Sequence, residues 1–214
     1  MSCSLFSPSK RRWVHRFSEH FPPAGLTRLA AGPSLVALGC KDGKIHVYES
    51  SQEFKCLRLI AVLAHHTSAI HNIVFASSRI VSCSDDMTVG VVTISNDGSL
   101  TLTKLFHGHV SRVRSIDVQG DRILSGSDDR SVKLWTLEPS SPGSAERPLA
   151  TLTGHSGPVV GVLLCLPLAL SAAGQNEKRL LKNTKNGKTL KKLLKKEIDK
   201  KFQNIAIASL HLSQ

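Results

Sequence analysis

The chain has 214 residues, a formal net charge of +12 and a sequence pI near 9.8. Hydrophobic residues make up 41% and charged residues 21%, an ordinary balance for a globular protein. Its five cysteines are scattered without a CxxC pair, which argues against a disulfide framework or a zinc site. We therefore expect a reducing, intracellular compartment, the cytoplasm or the nucleus.

The positive charge is concentrated at the C-terminal end. Residues 164–214 carry 11 of the 28 Lys and Arg residues but 3 of the 16 Asp and Glu residues. The rest of the chain is close to neutral, so this last part makes the protein basic.

Residues 1–25 are predicted to form an N-terminal arm, either flexible or packed. They contain basic residues but no apolar run, so a secretory signal is not expected. The arm ends at Phe21-Pro22-Pro23, because two successive prolines interrupt regular structure.

Alternating apolar and polar residues predict β-strands through most of residues 26–182. The predicted strands are 34–38, 44–48, 56–63, 70–75, 79–83, 88–94, 100–106, 113–118, a run from 123, and 132–135. Residues 139–148 are rich in Pro, Ser and Gly and predict a surface loop. Residues 159–174 carry no charge, but Pro167 interrupts them and they are too short to span a membrane. They predict two buried strands, and we expect no membrane partner.

Residues 106–137 contain a set of polar residues that could bond to one another. Gly108-His109 precedes the strands, Ser125 lies in the middle strand, Asp129 lies in the following turn, and Trp135 ends the unit. The indole is a donor only and the carboxylate an acceptor only, while Ser and His can do both. These side chains can form a chain of hydrogen bonds in the order Trp, Ser, His, Asp.

The same set repeats along the chain. His66, Ser82 and Asp86 each lie 43 residues before their counterparts, with Val92 in place of the tryptophan, so this unit is predicted to lack the terminal donor. Asp42 and Tyr48 occupy the aspartate and tryptophan positions of an earlier unit. A fourth unit begins at Gly154-His155, with Ser171 at the serine position, Gln175 in place of Asp and Leu181 in place of Trp.

These motifs and their period resemble the WD40 repeat, over about residues 29–162. The resemblance implies an all-β fold of antiparallel propeller blades, about three and part of a fourth, in an incomplete ring. In that family the four residue types form the structural tetrad of a blade. The fourth unit is predicted to lose the pattern near Val162, the sequence changes character from Glu177, and the basic helix that follows is not expected to resemble a WD40 strand.

The resemblance also implies a non-catalytic scaffold that binds other proteins through the loops between strands. The candidate partner-binding residues are Lys41, Thr67, Ser68, Asp85, Arg112, Asp128, Arg130 and Ser156. The His, Ser and Asp types of a hydrolase triad are present, but an active site is single, whereas this set repeats. No phosphate-binding glycine loop is present, and the His pairs lack acidic or cysteine partners at motif spacing, so no cofactor or metal is expected.

Residues 183–214 predict a basic amphipathic helix or tail. Leu190, Leu194, Ile198 and Phe202 recur every four residues, and lysines fill the other faces. The candidate polyanion-binding residues are Lys191, Lys192, Lys195, Lys196, Lys200 and Lys201. Four interpretations stay open: a nuclear-import, nucleic-acid-binding or chromatin-binding tail, an anionic-lipid-binding helix, a helix that covers an end of the sheet stack, or a tail from an alternative exon or imperfect gene model that was never selected as part of a propeller. A substrate-recognition subunit of a ubiquitin ligase is a further alternative.

Three to four blades do not close a typical ring of four to eight. Three explanations are open: the chain is a truncated form of a larger protein, two copies complete a ring, or the arm and the helix cover the open ends. The abrupt end of the pattern in mid-repeat favours the first of these explanations.

Overall fold

The computed structural model describes residues 3–7, 12–17, 25–50, 57–137, 147–165, 168–173 and 177–181. The chain divides into two compact units, Met1–Leu181 and Lys182–Gln214, and the described residues all lie in the first. These ranges contain β-strands and no helix. The predicted helix within 183–214 and most of the predicted loop 139–148 lie outside the described residues.

The described residues form seventeen strands. They are β1 (Cys3–Ser7), β2 (Arg12–Phe17), β3 (Leu26–Ala31), β4 (Leu35–Cys40), β5 (Ile45–Ser50), β6 (Leu57–Leu63), β7 (Ile70–Ala76), β8 (Arg79–Ser84), β9 (Val89–Ile94), β10 (Leu100–Phe106), β11 (Val113–Gln119), β12 (Arg122–Ser127), β13 (Val132–Thr136), β14 (Ala150–Leu152), β15 (Val159–Cys165), β16 (Leu168–Ala173) and β17 (Glu177–Leu181).

The strands form four successive antiparallel sheets and one separate hairpin. Blade 1 is β3–β6, blade 2 is β7–β10, blade 3 is β11–β14 and blade 4 is β15–β17, each with neighbouring strands paired in chain order. Strands β1 and β2 form the N-terminal hairpin. The first strands of consecutive blades contact one another, β3 with β7, β7 with β11, and β11 with β15, so they form the inner edge of the assembly.

Each gap between consecutive blades holds a hydrophobic core. One core joins blades 1 and 2, a second joins blades 2 and 3, and a third joins blades 3 and 4. The second strand of a blade is therefore covered on both faces, and five of the six residues in each of β4, β8 and β12 are buried. We call the face of a blade that lies toward the preceding blade its entry face, and we use the same name for the equivalent face of blade 1.

A small residue in the second strand lets the next blade come close. A Cβ on Gly126 would lie 2.6 Å from a methyl carbon of Val159, and one on Gly39 would lie 2.8 Å from a methyl carbon of Ile70. Cys83 occupies the corresponding position of blade 2. It is a free, buried thiol, and burial raises its pKa well above the usual range.

The strand predictions are confirmed to within about a residue for β7–β11 and β13, and the run from 123 is confirmed as β12, whereas β14 of blade 3 was not predicted. The two buried strands predicted in 159–174 are also confirmed, as β15 and β16. Within the described ranges, no helix is long and apolar enough to cross a membrane.

Two expectations are corrected. The third strand of the fourth unit was not predicted: Glu177–Leu181 pairs with β16 even though its charged sequence does not alternate as the other predicted strands do. Blade 1 has an additional strand, Leu26–Ala31, which was not predicted because its sequence, LTRLAA, lacks strict alternation. The N-terminal arm likewise contains a paired hairpin, Cys3–Ser7 with Arg12–Phe17.

Candidate functional site

The polar set of blade 3 forms one continuous hydrogen-bonded chain. Trp135 Nε1 donates to Ser125 Oγ at 2.8 Å, Ser125 Oγ lies 2.7 Å from His109 Nε2, and His109 Nδ1 lies 2.7 Å from Asp129 Oδ2. Because the ionised carboxylate can only accept, Nδ1 carries the imidazole proton and Nε2 accepts from the serine hydroxyl. Asp129 Oδ2 also accepts from the backbone N–H of Val110 at 3.1 Å, which ties the incoming loop to the turn.

The ionisation states of this chain follow from its surroundings. Burial by itself raises the pKa of Asp129, but hydrogen bonds from Ser131 and His109 outweigh it and lower that pKa to about 2. Burial lowers the pKa of His109, although the Asp129 carboxylate acts in the opposite direction. At neutral pH the pair is therefore a carboxylate and a neutral imidazole.

The turn between the second and third strands of blade 3 is closed by its own side chains. Asp129 Oδ1 accepts from the N–H of Ser131 at 2.8 Å and from its hydroxyl at 2.6 Å. Ser127 Oγ accepts from the N–H of Asp129 and donates to the carbonyl of Ser111. Arg130 takes a positive φ of 65°, as Met87 does in blade 2 with 69°, so both turns share one conformation.

Blade 2 has the same polar core with a different terminal donor. His66 lies 2.9 Å from both Ser82 Oγ and Asp86 Oδ2. Val92 cannot donate, but His65 Nε2 lies 3.1 Å from Ser82 Oγ, on the hydroxyl that the indole contacts in blade 3. The prediction that this blade lacks a terminal donor is therefore wrong. Burial, followed by the neighbouring His66, lowers the pKa of His65 to about 4, so it is neutral at pH 7.

Gly90 provides the space that His65 occupies. A Cβ on Gly90 would lie 2.5 Å from His65 Nε2 and 3.1 Å from His66 Nε2. The corresponding residue of blade 3 is Lys133, opposite Ser125 in the sheet. Three features of the sequence could together have identified His65. They are the absence of tryptophan at the position of Val92, the second histidine beside His66, and the glycine opposite Ser82.

The tetrad becomes less complete toward both ends of the described chain. In blade 4, His155 Nε2 lies 2.6 Å from Ser171 Oγ, while Gln175 lies outside the described residues. In blade 1, Leu38 replaces the serine, and Tyr48, 4% exposed, fills the tryptophan position. The hydrogen-bonded network is therefore a feature of individual blades.

The Ser, His and Asp groups have the order of a hydrolase triad but not its accessibility. Ser82 is 1% exposed, Ser125 is 0% exposed and Ser171 is 4% exposed. A nucleophile must reach a reacting carbon, and these hydroxyls are enclosed between blades. Among the described residues there is also no cluster of three or more His, Cys, Asp or Glu side chains that could hold a metal ion.

The candidate partner-binding loops lie together along one edge of each blade. The turn after the second strand bonds to the segment before the first strand in three blades: Lys41 N to Gly25 O at 3.0 Å, Asp85 N to Ala69 O at 2.9 Å, and Asp128 N to Arg112 O at 2.9 Å. We call this the loop edge. Of the predicted residues, the exposed ones are Lys41, Thr67, Arg112, Arg130 and Ser156, and the partly buried ones are Ser68, Asp85 and Asp128.

The two aspartates on this edge are already engaged within the chain. Asp128 accepts two hydrogen bonds from Arg114, at 2.9 and 2.8 Å. Asp85 lies 2.6 Å from His71 Nε2 and 3.6 Å from Arg112 Nε. Their carboxylates hold the turn to the first strand, while the basic side chains keep exposed surface.

Sequence reasoning missed two exposed apolar residues on the loop edge. Met87 is 44% exposed in the turn of blade 2, and Val110 is 80% exposed before blade 3. Neither could be found from polar motifs. The lysines predicted to bind polyanions, from Lys191 to Lys201, lie outside the described residues.

Successive antiparallel sheets, with a His–Ser–Asp network in blades 2 and 3 that Trp135 completes in blade 3, have the features of WD40-type propeller blades. The family model described as "WD domain, G-beta repeat" matches residues 94–136, so the chain contains a WD40 repeat. This confirms the resemblance inferred from the sequence. WD40 repeats are protein-interaction scaffolds and are generally non-catalytic.

Solved structures share the fold. The computationally designed Ika4 protein is 22% identical with a TM-score of 0.65, covering 77% of this chain and 94% of its own. The designed Ika8 protein is also 22% identical with a TM-score of 0.65, covering 79% of this chain and 49% of its own. A chain of the Mitotic Checkpoint Complex is 15% identical with a TM-score of 0.66, covering 81% and 51%. This chain therefore spans about half the length of the last two, and no curated protein matches it.

Proposed function

We propose that this protein is a non-catalytic scaffold that binds another protein through the loop edge of blades 2 and 3. The observation that supports this most is that blades 2 and 3 bury their polar networks and expose side chains of their loops. The polar groups with catalytic chemistry are buried and hydrogen-bonded to one another, as with Ser125 at 0% exposure. The same network anchors the adjoining loops, which present their outer side chains to solvent.

The loop edge has the composition of a contact surface. Arg112 keeps 57% of its side-chain area exposed, and Val110, two residues away, is 80% exposed. Arginine beside exposed apolar residues is enriched at protein interfaces. Because Asp129 bonds to the N–H of Val110, this loop is held in place before binding, which reduces the entropy lost on association.

The test compares the two ends of one strand. Arg130→Glu changes the turn after β12, on the loop edge, whereas Arg122→Glu makes the same change at the opposite end of β12. Partners retained by the immobilised chain would be quantified by mass spectrometry for the parent and both variants. We expect Arg130→Glu to lose most of at least one specific partner and Arg122→Glu to retain it, with a thermal melt of each variant to verify that it is folded. Equal retention by both variants would reject the loop edge as the binding surface.

A second candidate function rests on the charge of the tail. The 11 Lys and Arg residues of 164–214 against 3 acids favour a polyanion such as nucleic acid. Removal of residues 183–214 should then abolish binding to a DNA or RNA duplex whose affinity falls steeply with salt. Binding at the loop edge should persist in the shortened chain.

Three more specific roles remain proposals from the sequence. They are substrate recognition in a ubiquitin ligase, self-association that completes a ring, and an intracellular location. The location is supported by the buried free thiols of Cys40 and Cys83. Burial, followed by the nearby Asp42, raises the pKa of Cys40 to about 11, which keeps this thiol protonated.

A further inference from the structure

A hydrophobic cluster on the entry face of blade 1 is covered although no described blade lies there. The cluster contains Val36, Leu38 and Tyr48, at 7%, 2% and 4% exposure, with Leu26 and Leu57 packed against it. All five belong to blade 1. The other three cores each join two neighbouring blades.

The repeat register shows what normally covers this face. Tyr48 corresponds to Val92 of blade 2 and to Trp135 of blade 3. Val92 packs in the core with blade 1, and Trp135 packs in the core with blade 2. Side chains at this position are therefore buried by the preceding blade. Blade 1 reaches the same burial, so another part of the chain must contact it.

The N-terminal hairpin has the properties that such a cover requires. It belongs to the same compact unit as the blades, Met1–Leu181. Its two strands, CSLFS and RWVHRF, pair antiparallel, and an isolated two-stranded hairpin is at best marginally stable in water. The sequence of this hairpin contains five large apolar residues, Leu5, Phe6, Trp13, Val14 and Phe17.

We propose that the N-terminal hairpin lies on the entry face of blade 1, where a preceding blade lies for blades 2–4. Residues 18–24 connect Phe17 to Gly25, a path that can span about 27 Å, enough to return the chain across the face. The hairpin covers the outer part of the face and leaves the inner edge open. Leu29, on the inner strand, is 54% exposed, whereas its counterparts Ile73 and Ile116 are 4% and 3% exposed.

The cover has a consequence for assembly. The entry face of blade 1 is the surface on which the last blade of a second copy would have to pack to extend the stack. Because the hairpin is covalently joined to blade 1, its effective concentration at this face is high, and it competes with a second copy for the face. The hairpin therefore opposes head-to-tail joining, including the self-association that would complete a ring, so a face covered by the hairpin and the self-association proposed above are alternatives.

Trp13 provides a direct test, because the chain contains two tryptophans and Trp135 is fully buried. The Trp13 signal would be obtained by subtracting the emission of Trp13→Phe in each background. We expect Trp13 to resist acrylamide quenching in the parent chain. Leu38→Lys, on the covered face, should increase its quenching several-fold, while the matched Val110→Lys, on the exposed loop, should leave it unchanged. Ready quenching in the parent, or no change in folded Leu38→Lys, would overturn the proposal.

A second measurement applies if Leu38→Lys does not fold. Deletion of residues 1–17 should lower the Tm and increase the mass in solution by light scattering, because the entry face is then open to a second copy. Phe6→Ser combined with Trp13→Ser should act in the same direction, whereas Ser4→Thr combined with Ser7→Thr should match the parent. If the deleted chain keeps both the Tm and the mass of the parent, the hairpin does not cover blade 1.

Discussion

Blades 2 and 3 build the same polar network with different terminal groups. In blade 3, Trp135 both fills the space toward blade 2 and donates a hydrogen bond to the serine. In blade 2 these two tasks are divided, since Val92 fills the core and His65 contacts Ser82. The difference shows that the blade requires a polar partner for its buried serine and an apolar side chain in its core, but not one residue that supplies both.

The first prediction separates the two blades most strongly. Trp135→Ala should lower the free energy of unfolding by about 4 kcal/mol, because it leaves a large cavity and removes the donor to Ser125. Val92→Ala should cost about 1.5 kcal/mol, since it removes only buried methyl groups and leaves His65 in place. Urea unfolding followed by circular dichroism measures both. Equal losses would mean that blade 2 depends on Val92 as blade 3 depends on Trp135.

The second prediction concerns the part that the two blades share. Asp129→Ala and Asp86→Ala should each cost about 3 kcal/mol, because each leaves a buried imidazole and backbone N–H groups without an acceptor. Asp97→Ala, in an exposed turn, is the control and should leave stability nearly unchanged. A loss at Asp129 alone would show that only the tryptophan-containing network is tightly coupled.

The third prediction tests the space for His65. Gly90→Ala should cost about 2 kcal/mol, because its methyl group meets the imidazole of His65. The same substitution in a His65→Ala background should cost distinctly less, since the closest contact is gone. Gly157→Ala, with nothing within 4 Å of its Cβ, is the matched control and should be nearly neutral. Equal costs in both backgrounds would place His65 away from Gly90.

The fourth prediction concerns the pH dependence of stability that His65 causes, and its expected effect is the smallest of the four. His65 titrates with a pKa of about 4 in the folded chain and about 6.5 when unfolded, so the unfolded state binds more protons between these values. Its contribution to stability is complete above pH 6.5 and is lost as the pH falls toward 4. Urea midpoints at pH 7 and pH 5 should differ less in His65→Gln than in the parent. An unchanged pH dependence in His65→Gln would contradict the assignment.

The sequence predicts what repeats within a blade better than what depends on distant partners. The 43-residue register locates His109, Ser125 and Asp129 because their hydrogen-bonding chemistry requires fixed spacing. It does not locate His65, whose position depends on a glycine 25 residues later in the sequence. Nor does it predict β17, since Glu177–Leu181 becomes a strand by pairing with β16 and not through its own alternation.

The blade-to-blade cores also set an order of opening. Blades 2 and 3 have a core on both faces, so β8 and β12 cannot be exposed unless two cores break together. The outer strands β6, β10 and β14 have exposed residues and lie at the edge of each sheet. Amide hydrogens should therefore exchange first from the outer strands and last from β8 and β12, so that the blades open from their outer edges inward.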